Sequence, residues 1–79
     1  MAIDVDQRDE CFDDGSADLA IGDLDAAVAN YRKSVEIDPD FFDGWHALGL
    51  TLMKQGELKA AIGAALQATT LSPNDQLAW

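Results

Sequence analysis

Apolar residues recur along this chain at steps of three and four, the spacing of helices that bury one face. Leu24, Ala27, Val28, Tyr31 and Val35 form one such series, and Trp45, Leu48 and Leu52 a second. Leu58, Ala61, Ile62, Ala65 and Leu66 form a third. No segment alternates with period two over a useful length, so no strand is expected. Gly22-Asp23 and Gly56-Glu57 interrupt the helical pattern. A glycine accepts the left-handed conformation that ends one helix, and an acid suits the start of the next. Asp38-Pro39-Asp40 and Ser72-Pro73-Asn74 are stronger breaks. Proline disfavours helix in the residue before it, and Asp40 or Asn74 can cap the helix that follows. These marks predict helices at 8–21, 24–37, 42–55 and 58–71, with a fifth beginning near residue 75.

The punctuation repeats. At a shift of 34 residues, Asp9 coincides with Asp43, Gly15 with Gly49, Gly22 with Gly56 and Leu24 with Leu58. The same shift pairs Ala26 with Ala60, Ala27 with Ala61, Pro39 with Pro73 and Trp45 with Trp79. Identities in one register, at turn-formers and small residues, signal a structural repeat. Gly49, Ala27, Ala61 and Ala68 are expected where helices approach closely. The fourth helix is nearly smooth, and Gly63 in its interior costs about 0.5–1 kcal/mol relative to alanine.

Charge sharpens the picture. The 79 residues carry a net charge of -10, and it is unevenly placed. Residues 1–40 hold twelve acids and three bases, against three acids and two bases in 41–79. So acidic an N-terminal half repels nucleic acid and anionic lipid and attracts a basic partner. Within the first helix Asp9 and Asp13, Glu10 and Asp14, and Asp14 and Asp18 are like charges four apart, each pair costing roughly 0.2–0.5 kcal/mol. Either a cationic partner surface relieves that repulsion, or residues 1–18 stay frayed. Cys11 is the single cysteine, which excludes an internal disulfide framework and fits a cytoplasmic location. The first ten residues lack the hydrophobic stretch of a signal peptide, and no apolar run approaches a bilayer span.

The repeat resembles the tetratricopeptide repeat, a 34-residue helical hairpin with its signature residues in the order W, L-G, Y, A, F, A, P. In residues 42–75, Trp45, Leu48-Gly49, Leu52, Gly56, Ala61, Ala68 and Pro73 occupy the W, L-G, Y, turn-glycine, A, A and P places, with Ala65 at the large aromatic one. Residues 8–41 form a unit whose first helix is degenerate: Cys11 replaces the Trp, Asp14 the Leu and Asp18 the aromatic, while Gly15 keeps its place. The second half of that unit is regular, with Gly22-Asp23, Ala27, Tyr31, Ser34 and Pro39. Trp79 takes the W place of a third unit, so residues 76–79 are expected to begin that unit or act as a capping stub. Residues 1–7 are expected to be a flexible acidic segment.

The resemblance implies an all-α fold in which antiparallel helix-turn-helix units stack as a short right-handed superhelix. It also implies a concave groove, lined by the first helix of each unit, that holds a segment of another protein. Carried onto this chain, the groove residues are Asp9, Phe12, Asp13, Ser16 and Leu19, then Asp43, His46, Leu50, Met53 and Lys54. The family's lysine and asparagine clamp for a chaperone's terminal carboxylate is missing, since its places hold Asp9, Asp13, Ser16, Asp43 and Leu50. A basic or amphipathic segment is the expected ligand. Repeat arrays need polar caps at both ends, yet the C-terminal end presents Leu66, Leu77 and Trp79. Either the sequence is a piece of a longer array, or that end docks on something, as a homo-oligomer or as a small structural subunit of a larger complex.

No residues here assemble a reaction. His46, the one histidine, could in principle pair with Cys11, but neither lies in a recognisable catalytic signature. Phe12 and Leu19 fall on ligand places of any calcium loop built around Gly15 or Gly22. There is no phosphate loop, no CxxC and no HExxH, and the five bases form no nucleic-acid patch. The chain is therefore expected to be a non-catalytic protein-binding module that needs neither cofactor nor metal.

Overall fold

A computed structural model describes residues 2–71. Its elements are α1 (Val5–Ala20), α2 (Leu24–Ile37), α3 (Phe42–Gln55) and α4 (Leu58–Leu71), and no strand occurs among the described residues. The last three helices have the expected bounds. The first starts three residues early, at Val5, and ends at Ala20. The reason is local: Asp4 accepts a hydrogen bond from the Gln7 amide at 3.0 Å, and Asp6 adds a favourable charge to the first turn.

The two hairpin turns are copies of each other. Gly22 and Gly56 have φ of 82° and 84°, the left-handed conformation expected of them. Around each, the same pair of bonds closes the preceding helix. Asp23 N donates to Asp18 O and Gly22 N to Leu19 O, while Glu57 N donates to Leu52 O and Gly56 N to Met53 O, all at 2.9–3.0 Å. This is the glycine C-cap in which six-residue and four-residue bonds nest. Asp23 then caps α2, accepting from Ala26 N at 3.2 Å.

The connection between the units differs from expectation. Asp40 does not cap α3, whose N-cap position is Phe41 with no side-chain bond. Asp38 organises the turn instead: its Oδ1 accepts from Asp40 N at 3.1 Å and its carbonyl from Phe41 N at 3.0 Å. Trp45 Nε1 reaches back to donate to the Pro39 carbonyl at 2.7 Å.

Packing is sequential: α1 on α2, α2 on α3 and α3 on α4. The core runs through all of them as Ala27, Tyr31, Val35, Leu48, Leu52, Ala61 and Ala64, with Phe12, Leu19, Val28 and Trp45 packed against it. Glycine sets the closest approaches. Gly49 is one, as expected: a β-carbon there would sit 3.5 Å from backbone atoms of α4, Ala61 O and Ala65 N. On Gly15 it would lie 2.8 Å from the Tyr31 ring, and on Gly44 2.8 Å from Ser34 Oγ and Val35 Cγ1. The result is a short right-handed solenoid of helical repeats.

Candidate partner-binding groove

The first helices of the two units, α1 and α3, carry the expected groove residues. On α3, Asp43, His46, Leu50, Met53 and Lys54 are all exposed. Their spacing confines them to about a third of the helix circumference. Leu50 and Met53 leave 47% and 57% of their surface open to solvent. His46 stacks on Phe42 with ring centroids 5.6 Å apart and planes 9° from parallel, which fixes a flat surface at the head of this stripe.

On α1 the expected set divides. Asp9, Asp13 and Ser16 are exposed, whereas Phe12 and Leu19 are half-buried and engaged by the core. Phe12 is a wedge: its ring lies 5.4 Å from both Tyr31 and Phe41, tilted to the first and edge-on to the second. Ser16 Oγ meets Tyr31 Oη at 3.0 Å, so that the otherwise buried phenol has its hydroxyl satisfied. What α1 offers to solvent is therefore acid: Asp6, Asp9, Glu10, Asp13 and Asp14.

Arg8, the one cation of α1, offsets only Asp9 among them. Its Nη1 donates to Asp38 Oδ2 at 2.8 Å, its Nε and Nη2 donate to Asp9 Oδ1, and its guanidinium lies 4.3 Å from the Phe41 ring centroid. Hydrogen bonds to Asp38 first, and to Asp9 second, raise its pKa further above the usual arginine value. Sequence reasoning missed this group, and no local signal could have found it, because Arg8 and Asp38 are 30 residues apart. Asp18, at the place of a core aromatic, is satisfied by Asn30 Nδ2 at 2.7 Å.

The surface is open. Two deeper depressions lie between α2 and the second unit. One is lined by residues including Asp23, Asp25, Arg32 and Lys54, the other by residues including Val35, Trp45, Leu48 and Gly63. Of the expected groove residues, Lys54 alone lines either of them. Cys11 is buried, and Gln7 Nε2 lies 4.0 Å from its sulfur. At the far end Leu66 is exposed, while Leu77 and Trp79 lie outside the described residues. No described helix is long and apolar enough to cross a membrane.

Comparison with known families agrees with this geometry. A family described as TPR repeat matches residues 15–56, and one described as Tetratricopeptide repeat matches residues 42–75. The chain belongs to the tetratricopeptide repeat family. The first match spans the Gly22 turn, the Asp38-Pro39 connection and the Gly56 turn. Tetratricopeptide repeats are generally non-catalytic modules that mediate protein–protein interaction. No curated protein and no solved structure matches the chain.

Proposed function

We propose that this tetratricopeptide protein is a non-catalytic adaptor that binds a basic or amphipathic segment of another protein across the outer faces of α1 and α3. Surface chemistry carries the reading: Leu50 and Met53 are exposed apolar side chains on α3, while α1 presents acids of which its one cation, Arg8, pairs with Asp9 alone, its other partner being Asp38. An apolar strip on one helix and acids on another complement a partner helix with leucines on one face and lysines beside them. Asp9, Asp13 and Asp43 would meet the cations, and His46, Leu50 and Met53 the apolar side. The single Cys11 supports a cytoplasmic setting.

The test is titration of a lysine- and leucine-rich amphipathic peptide, followed by fluorescence anisotropy. Reversing Asp9 and Asp13 together to lysine should weaken binding about tenfold, and Met53→Glu should weaken it comparably. Equal affinity for wild type and both variants would overturn the groove reading. A second reading, a structural subunit that docks or self-associates through its C-terminal end, is favoured by the exposure of Leu58, Ile62 and Leu66 along α4. The sequence adds Leu77 and Trp79 to that end.

A further inference from the structure

The 34-residue register pairs every position of α2 with one of α4, and burial breaks the pairing along one face. Ala27 and Ala61 are both buried, as are Ser34 and Ala68. Tyr31 and Val35, however, are 2% and 3% exposed, whereas their counterparts Ala65 and Thr69 are open to solvent. Leu24 and Val28 are half-buried, whereas Leu58 and Ile62 are 61% and 60% exposed. The difference is α3, which packs on α2 and has no counterpart on α4 among the described residues. The open face of α4 thus continues an interface already built once in this chain.

We infer that this face is covered by α4 of a second copy, the two helices running antiparallel about a two-fold axis. The inference rests on reading the C-terminal end as a docking end, and it names the occupant. Leu58, Ile62, Ala65 and Thr69 follow one another at steps of four, three and four, the seam along which paired helices interlock. In an antiparallel pair centred between Ile62 and Ala65, Ile62 of each copy faces Ala65 of the other, and Leu58 faces Thr69. Each large side chain meets a small one, so the face is complementary to itself, as a two-fold contact requires.

Charge selects the same arrangement. Lys59 is the only charged residue in α4, and the acids are concentrated in residues 1–40. A contact through α4 keeps the two acidic halves apart. A head-to-tail stack would instead lay α1 on α4 as α3 lies on α2. Glu10 would then take the place of Gly44 and meet Ala68 and Thr69, the counterparts of the Ser34 and Val35 that leave no room for a methyl group at Gly44. Asp14 would take the place of buried Leu48. Burying those carboxylates against leucine and isoleucine is unfavourable.

Sedimentation velocity of the full chain across a wide concentration range tests this. A contact one helix face wide is small, so the expected dimer dissociates on dilution. Ile62→Lys and Ala65→Glu, both at exposed positions, should each give a helical monomer, and mixing the two should restore a dimer, because residue 62 of one copy faces residue 65 of the other. A dimer that survives Ile62→Lys overturns the proposed interface. A wild-type monomer that binds more of a hydrophobic dye than Ile62→Lys does overturns the second copy and leaves the face to a different protein. A wild-type monomer whose dye binding Ile62→Lys leaves unchanged overturns the docking-end reading as well, since the face is then not open.

Discussion

Arg8 and Asp38, 30 residues apart in sequence, form a 2.8 Å ion-paired hydrogen bond with side chains only 20% and 13% exposed. This pair holds the degenerate helix of the first unit. Like-charged neighbours strain α1 from within, and the unit lacks its tryptophan, yet Arg8 ties the helix to the turn between α2 and α3. It also spreads over Phe41, which packs in turn on Phe12. Such charge-assisted bonds with limited exposure are stronger than surface pairs.

Asp38→Ala is therefore expected to lower Tm by about 5 °C or more. It should also speed amide exchange in the first turns of α1, where Arg8 is released. Asp40→Ala should leave both nearly unchanged, since Asp40 contributes a backbone amide to the turn and no cap to α3. Thermal melting followed by circular dichroism, with hydrogen exchange, checks both.

Two glycines in helix interiors should respond oppositely to alanine. Gly63→Ala meets nothing within 4 Å and should stabilise the protein by about 0.5–1 kcal/mol, the helix preference of alanine. Gly15→Ala gains the same preference but drives a methyl group to 2.8 Å from the buried Tyr31 ring, and overpacking costs roughly 1–3 kcal/mol. A net loss is expected. Urea unfolding of the two variants would read the difference directly.

At the hairpin turns the constraint is in the backbone. Neither Gly22 nor Gly56 has a neighbour that a β-carbon would strike, but both have φ above 80°. Alanine at either position should cost roughly 1 kcal/mol through left-handed strain, and asparagine should cost less. Equal losses for the two residues would also agree with the identical bonds around them.

Binding of the amphipathic peptide should weaken as salt rises, because Asp9 and Asp13 are exposed and their fields are screened over about 10 Å at 0.1 M and about 3 Å at 1 M. The Asp9→Lys/Asp13→Lys variant should lose most of this salt dependence while keeping the apolar part of its affinity through Leu50 and Met53. Titrations at several salt concentrations separate the two contributions.

Much of this architecture is legible in the residue order. Gly22 and Gly56 announce the turns, Pro39 the break between units, and the three- and four-residue spacing of Leu24 to Val35 and of Leu58 to Leu66 the helices they separate. These signals work because each acts within one or two turns of backbone, through φ preferences and the period of the helix. The start of α1 escaped because Asp4 lies outside the apolar periodicity and acts by capping alone.

The tertiary structure decided what depends on separation in space. It packed one side of Phe12 and Leu19 against the core, made Gly15 and Gly44 tighter contacts than Gly49, and joined Arg8 to Asp38. It also made the matched faces of α2 and α4 unequal, one covered by α3 and the other open. Burial and pairing belong to a residue's neighbours in space, and a single sequence encodes those only through the packing of the whole chain.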